Sequence, residues 1–361
     1  MMKLMTPGPT QIRENVRIAR SLETTNPDLD LNFYDEYKKT CELLSHLMHT
    51  KNTSYILSGE GILGLEAACA SLTERGDRVL VLDNGIFGRG FADFVTLYGG
   101  TPVLLSSDYQ EELSITQIEE FLRKDHAFKY ATLVHCDTPS GMLNNIQAIC
   151  PLLKKYGILT VVDSVAGAFG NEVNVDQSQI DILCLGSQKA LSAPIGLTML
   201  TISEAAFVSM KSRKSPIASF YANILTFENY YKDKWFPYSM PISDIYGLRT
   251  ALENVAADPD ILDRHARCAK RTRDFITGLG LSLYNRSGYS NTVTVFKVPK
   301  GLKSCDILNR MQEVHGIMIA GSFDILAGEV LRIGHMGENA RDEDITQTLD
   351  ALKETLETLN K

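Results

Sequence analysis

Short apolar runs alternate with amphipathic stretches through the first part of the chain. The runs cover residues 54–57, 79–83, 102–106, 131–135, 158–162, 181–185 and 197–202. They are rich in Val, Ile and Leu and carry little polar alternation, the pattern of strands buried on both faces. Between most of them, apolar positions recur at helical spacing over 62–75, 88–98, 114–123 and 146–156. Strands alternating with helices imply right-handed crossovers and a mostly parallel sheet. The expected fold class is therefore α/β, a large domain built on a seven-stranded sheet. A further helix is expected over 34–48, while Thr6-Pro7-Gly8-Pro9-Thr10 is too rigid for one.

The pattern changes after about residue 205. Residues 203–235 read as irregular and aromatic, and 236–241 as a loop. Helices are expected over 242–257, 261–279 and 305–314, and strands over 292–298 and 330–333. The last helix carries one apolar stripe at Ile345, Leu349, Leu352, Leu356 and Leu359. The expected division is an N-terminal segment 1–20 that contributes to the active site, a large domain 21–257, and a smaller C-terminal α+β domain 258–361.

Composition narrows the partners. The 361 residues are 44% apolar and 22% charged, with a formal net charge of −8 and no basic block. That argues against nucleic acid and anionic membrane. The chain shows no signal-peptide apolar core and no run of 18 apolar residues, so a soluble, cytoplasmic protein is expected. Seven scattered cysteines without a C-x-x-C pair read as small reduced hydrophobes. His46 and His49 share an expected helix face but have no third ligand nearby, so no metal site is expected.

Two chemistries compete for the strand ends. Gly59-Glu60-Gly61-Ile62-Leu63-Gly64 matches G-x-G-x-x-G between a strand and a helix, with Asp83 ending the next strand. That is the context of a dinucleotide site and makes an NAD-dependent dehydrogenase one reading. A glycine-rich helix start, however, takes any phosphate. The other reading starts from Lys189, crowded by small residues in Gly186-Ser187-Gln188-Lys189-Ala190-Leu191-Ser192-Ala193-Pro194-Ile195-Gly196. Burial lowers an amine's pKa and frees its lone pair for a carbonyl. Asp163, Thr138, Phe87 and Glu60-Gly61-Ile62 also follow expected strands and would converge on one crevice. Together they suit pyridoxal phosphate. The lysine takes the aldehyde, and a carboxylate keeps the pyridine nitrogen protonated. An aromatic ring stacks, a hydroxyl bonds the ring oxygen, and the helix start takes the phosphate.

These motifs, with Val162-Asp163-Ser164-Val165, Ser58-Gly59-Glu60-Gly61 and Leu331-Arg332-Ile333-Gly334, resemble the class V aminotransferases over nearly the whole chain. The nearest branch is that of alanine–glyoxylate and serine–pyruvate aminotransferases. The resemblance implies a fold-type I homodimer with active sites at the subunit interface. Lys189 would be the Schiff-base lysine, Asp163 the partner of the pyridine nitrogen and Phe87 the stacking ring. Thr138 and Gln188 would bond ring substituents, and Val165 would pack on the opposite ring face. Ser239 aligns with a phosphate-contacting threonine of the partner subunit. Arg332 would clamp the substrate carboxylate, with Gly8 beside the substrate. The implied reaction moves an amino group from alanine or serine to glyoxylate or pyruvate.

Two departures stand out. Glu60 replaces a hydroxyl at the phosphate cup, and a carboxylate there repels a dianion unless a cation such as Arg89 neutralises it. Phe236 replaces a tyrosine donated across the interface. Both resemble pyridoxamine–pyruvate aminotransferase, which uses free pyridoxal and pyridoxamine as substrates, as do Asp137-Thr138-Pro139-Ser140-Gly141 and Arg332-Ile333-Gly334-His335-Met336-Gly337. That enzyme has a second arginine where this chain reads Gly321-Ser322-Phe323. A desulfurase-like relative would need a cysteine on a mobile loop, and Cys305 falls in an expected helix.

Overall fold

The computed structural model describes residues 2–360. The chain opens with a two-residue strand, β1 (Lys3–Leu4), crosses the Thr6–Thr10 turns, and forms helix α1 (Glu14–Arg20). Helix α2 (Leu31–Leu47) starts where the Asp30 carboxylate accepts from the Asn32 amide, a side-chain cap for an orphan donor. Strands and helices then alternate: β2 (Thr53–Ser58), α3 (Gly61–Leu72), β3 (Arg78–Asp83), α4 (Ile86–Leu97), β4 (Thr101–Ser106), α5 (Ile115–Lys124) and β5 (Tyr130–Val134). A small hairpin, β6 (Cys136–Asp137) and β7 (Met142–Leu143), precedes α6 (Ile146–Lys155), β8 (Leu159–Asp163), β9 (Ile182–Gly186) and β10 (Leu197–Ile202). The rest comprises α7 (Glu204–Lys211), α8 (Tyr230–Asp233), α9 (Ile242–Ala256), α10 (Ile261–Gly278), β11 (Val293–Lys297), α11 (Ser304–His315), β12 (Ile317–Met318), β13 (Val330–Gly334) and α12 (Asp342–Leu359).

The expected seven-stranded sheet is present, in the order β2-β10-β9-β8-β5-β3-β4. Only β10 runs against its neighbours; β9, β8, β5, β3 and β4 pair in parallel. Every residue of β5, β9 and β10 is buried, which is why those runs read as continuous rather than alternating. The carboxyl ends of β2, β3, β5, β8 and β9 face one edge, so the loops that follow them share one crevice.

There are two hydrophobic cores. One surrounds the sheet. The second gathers Cys268, Ile276, Phe296, Ile307, Leu331, Ile345, Leu349, Leu352 and Leu356 around α10, α11 and α12, and it includes Met5 from the N-terminal segment. That segment is sewn to the second core: β1 pairs with β12, and the Gly334 amide donates to the Met5 carbonyl at 2.8 Å.

Three local expectations change. Residues 203–235 contain α7, capped by the Ser203 hydroxyl on the Ala206 amide. Helix α1 forms directly after the proline turns. His49 lies beyond the end of α2 with φ of 51°, so it shares no helix face with His46.

Three imidazoles, His135, His265 and His335, are buried. Desolvation pushes them down to about 4, 4 and 3 respectively. They are neutral in the folded chain, whereas an unfolded histidine binds its proton near pH 6.5. Their contribution is fully present above that pH and is lost as pH falls toward the folded values. Asp163 and Asp137, both raised by burial, act in the opposite direction. Unfolding near pH 5 thus takes up three protons and releases up to two, and stability falls on acidification by about 1.4 kcal/mol per pH unit for each net proton. Denaturant titrations at about pH 5 and 6.5 would measure that fall. His335→Gln should reduce it by about one proton's worth, and an unchanged slope would contradict the assignment.

Candidate active site

A cavity of about 240 Å³ opens at the carboxyl edge of the sheet. Its walls include Glu60, Gly61, Ile62, Phe87, Thr138, Asp163, Val165 and Lys189, together with Leu65, Cys136 and Ala166. Eight of the residues singled out from sequence therefore meet in one place. A larger open groove of about 760 Å³ beside α2 and α7 contains none of them.

Lys189 sits in the turn between β9 and β10. Its amine donates to the Pro7 carbonyl at 2.7 Å. Burial lowers its pKa, Glu60 opposes that, and the Arg332 charge lowers it further. The N-terminal segment is locked onto this turn. The Thr10 amide donates to the Gln188 carbonyl at 3.1 Å and the Thr10 hydroxyl to the Lys189 carbonyl at 3.0 Å. Gly8 has φ of +88°, and a Cβ there would lie 2.5 Å from Lys189 Cδ and 2.7 Å from its Nζ. Only glycine allows that approach at that backbone angle.

Asp163 ends β8 and is buried. Desolvation raises its carboxyl to about 7, against the pull of the Val165 amide, which donates to Oδ1 at 2.9 Å. Among the described residues it makes no ion pair, and the Lys189 charge acts on it only through space. Phe87 and Val165 both line the cavity, and Thr138 is buried in its wall. A Cβ on Gly61 would meet Val165 at 2.9 Å, so the start of α3 packs directly against that side chain.

Arg332, on β13, does not line the cavity itself but comes from the second core to the Thr138 part of its wall. Its Nε donates to the Gly321 carbonyl at 2.5 Å and its Nη1 to the Thr138 carbonyl at 3.4 Å. Burial lowers it to about 10. It makes no ion pair among the described residues. The Phe323 ring lies 5.7 Å from its guanidinium carbon and 6.0 Å from the Phe87 ring centre.

Glu60 caps α3: its Oε2 accepts from the Ile62 amide at 3.0 Å, and its Oε1 accepts from the Gln188 side-chain amide. Arg89 does not neutralise it; that guanidinium lies 3.5 Å from Asp83 instead. Ser239 is outside this cavity, exposed, and donates to Asp28 at 2.8 Å. Phe236 is buried in its own chain, stacked on Tyr34 with ring centres 4.6 Å apart.

The dinucleotide reading fails on geometry. Strand β2, which precedes the glycine-rich turn, is the sheet's edge and pairs only with antiparallel β10. Both Asp83 oxygens are already taken, by the Ser106 and Tyr109 hydroxyls at 2.8 and 2.7 Å. The glycines serve packing: a Cβ on Gly64 would lie 2.3 Å from the Thr198 hydroxyl. Cys305 sits in the first turn of α11, not on a loop. Two parts of the site were not singled out from sequence. The Pro7 carbonyl leaves no side-chain signal, whereas Asp137, adjacent to Thr138 in Asp137-Thr138-Pro139-Ser140-Gly141, is a buried carboxylate that only the fold brings to Phe87.

A mostly parallel sheet with a half-buried lysine near a buried carboxylate at its carboxyl edge suits one class, and the chain belongs to it: the aminotransferase class-V family model matches residues 16–322. These are pyridoxal-phosphate-dependent transaminases. Among curated relatives, the chain is 33% identical to an uncharacterized aminotransferase of Methanocaldococcus jannaschii, covering 92% of this chain and 87% of that one. It is 32% identical to pyridoxamine–pyruvate transaminase of Mesorhizobium japonicum, with 96% and 90% covered. It is 31% identical to alanine–glyoxylate aminotransferase of Callithrix jacchus, with 98% and 87% covered. Of solved structures, ureidoglycine–glyoxylate aminotransferase from Bacillus subtilis superposes with a TM-score of 0.96 at 29% identity, covering 100% of this chain and 94% of that one. Pyridoxamine–pyruvate aminotransferase from Mesorhizobium loti gives 0.95 at 30%, with 99% and 93% covered.

The donor set fits a pyridoxal ring: Asp163 lacks a cation that a protonated ring nitrogen would supply, and Phe87 and Val165 line the walls beside it. At the helix end the fit is contested, because the Glu60 carboxylate already takes the Ile62 amide that a phosphate would use. Gly8→Ala tests the lysine's surroundings. The added methyl must push Lys189 aside, and trapping of pyridoxal on the protein by borohydride should slow by about tenfold or more. Unaltered labelling would show that the Gly8 approach does not matter.

Proposed function

We propose that this protein transfers an amino group from a small L-amino acid, alanine or serine, to a small 2-oxo acid, glyoxylate or pyruvate, with pyridoxal phosphate as cofactor. One observation carries the reading. At one site a lysine amine lies among a buried carboxylate and a largely buried guanidinium, neither of which has a protein counter-ion. Such charges are costly to bury unpaired and make sense when a ligand completes them. When bound, pyridoxal phosphate supplies an aldehyde that exchanges amino groups and a protonated ring that accepts the electron pair left at the substrate's Cα.

In this reading Arg332 binds the substrate carboxylate through its planar donors and orients Cα toward Lys189. Lys189, whose pKa desolvation lowers, takes the Cα proton and later returns one as general acid. Asp163 holds the proton on the ring nitrogen, Phe87 and Val165 fix the ring plane, Thr138 and Gln188 hold the ring substituents, and Gly61 and Ile62 meet the end of the cofactor at the start of α3. We also infer a homodimer, which the exposed Leu29, Leu31, Phe220, Tyr221 and Trp235 are available to line. In it Ser239 would reach the partner's site. We further infer the division into segment 1–20, domain 21–257 and domain 258–361. We also infer a cytoplasmic location, which six buried free cysteines support. No helix among the described residues is long and apolar enough to cross a membrane.

A second reading is favoured by Glu60. A carboxylate on the first amides of α3 suits a cofactor end that carries a hydroxyl rather than a phosphate, and then free pyridoxamine is the amino donor and pyruvate the acceptor.

Half-reactions of the purified protein with alanine, serine and pyridoxamine distinguish the readings. The first requires a visible absorption change with alanine or serine in the protein loaded with pyridoxal phosphate, the second with pyridoxamine and pyruvate together and no phosphate ester. Lys189→Ala should lower turnover by on the order of a thousandfold in either case, and retained activity would end both. Arg332→Lys should raise KM for the carboxylate substrate by about tenfold. Glu60→Ser should shift preference from pyridoxal toward pyridoxal phosphate by about tenfold or more, because one negative charge leaves the cup. An unchanged preference would leave the phosphate-free reading without support.

A further inference from the structure

Asp137 is a fully buried carboxylate with no role in the scheme above, on which this inference rests. It ends the short strand β6, one residue before Thr138. Its Oδ1 accepts from the Phe87 amide at 2.9 Å. Its Oδ2 accepts from the Ser140 hydroxyl at 2.7 Å and the Ser140 amide at 3.2 Å, and its carbonyl accepts from the Gly141 amide at 2.7 Å. Helix α4, on which Phe87 is the second residue, has glycine at its N-cap and no side-chain cap of its own. The first amides of a helix need an acceptor. Here a residue fifty positions away in the sequence supplies it. Gly85 has no side chain because Asp137 occupies the space: a Cβ there would lie 2.4 Å from the Asp137 carboxyl carbon.

We infer that Asp137 is a positioning residue that caps α4 from outside and so holds the Phe87 ring and the Thr138 hydroxyl in one rigid frame across the cavity. A helix capped by its own side chain would leave α4 free to shift relative to the β6–β7 hairpin. With Asp137 as the cap, the wall carrying Phe87 and the wall carrying Thr138 share one carboxylate. The negative charge also suits the partial positive charge at the start of α4 and helps keep Arg332 charged.

The test uses the protein before and after it is loaded with pyridoxal phosphate. In the unloaded protein, Asp137→Ala should speed hydrogen exchange of the Phe87 amide by on the order of tenfold, with the sheet strands unchanged. In the loaded protein it should lower the visible circular dichroism of the bound chromophore at least twofold and reduce kcat more than it raises KM. Asp137→Asn keeps an acceptor for Phe87 and should restore both signals toward wild type. Native Phe87 exchange in Asp137→Ala overturns the proposal. If Asp137→Ala does not fold, Asp137→Asn decides alone: slow Phe87 exchange with the chromophore signal kept supports the proposal, and slow exchange with that signal lost overturns it, since charge rather than position would then be the cause. Phe87→Ala separates the underlying reading. If it leaves the chromophore signal intact, Phe87 is not the stacking ring, whatever the exchange data say about the cap.

Discussion

Three ionisable groups are drawn together with no ion pair among the described residues, and the architecture follows from that burden. Asp163, Lys189 and Arg332 each pay for desolvation, an effect worth several kcal/mol per unpaired ion. Backbone hydrogen bonds and nearby charges offset it only in part, so burial still raises the Asp163 carboxyl to about 7 and lowers the Arg332 guanidinium to about 10. Only a rigid surround can keep the groups from relaxing toward solvent. A sheet buried on both faces provides this for Asp163 and Lys189, whose strands β8 and β9 are hydrogen-bonded neighbours. Arg332 comes from the other core, where β13 pairs with β11. The chemistry therefore lies at the seam between two cores, and the seam must be held.

The N-terminal segment holds it. It is a parallel partner of β12 in the second core, it touches β13 through Met5 and Gly334, and its Pro7 carbonyl receives the Lys189 amine. The fit is close enough that a Cβ on Gly334 would lie 2.1 Å from the Thr6 carbonyl oxygen. The few residues between β1 and Thr10 thus connect the guanidinium's strand to the lysine's turn. Proline and glycine suit this use. Pro7 and Pro9 restrict the backbone, and Gly8 takes the left-handed angle that lets the chain pass the lysine.

Much of this was legible in the sequence because burial imposes a pattern. The seven sheet strands appear as apolar runs because residues such as Val161, Leu183 and Leu200 face hydrocarbon on every side. Lys189 was legible for the complementary reason, as a charge crowded by small residues between two apolar runs. The misses share a different cause. Helix α7 is only eight residues long, too short for a clear helical spacing to show. Phe236 lies in the expected loop, but its place in an aromatic cluster with Tyr34, Tyr37 and Tyr230 of its own chain carries no spacing signal. Asp137 caps a helix distant in sequence, and the Pro7 bond uses a carbonyl, which no residue type announces. The pairing of Arg89 with Asp83 rather than Glu60 depends on side-chain reach, which spacing does not encode.

Glu60 leaves the start of α3 with a definite electrostatic character. The first amides of a helix carry about half a positive charge and attract an anion. Here the chain supplies its own anion, fastened by the Ile62 amide on one oxygen and the Gln188 side chain on the other. A phosphate entering this end must displace that carboxylate or lie beside it, and either cost falls on the phosphate alone. A hydroxyl at the same place would instead donate to Glu60. The buried Gln188 side-chain oxygen, which has no partner among the described residues, gives this end a second acceptor. The two ends of the cavity therefore ask for opposite things: Asp163 asks for a cation, and Glu60 with Gln188 asks for a neutral donor. A ligand with a protonated ring nitrogen and an uncharged hydroxyl would meet both demands.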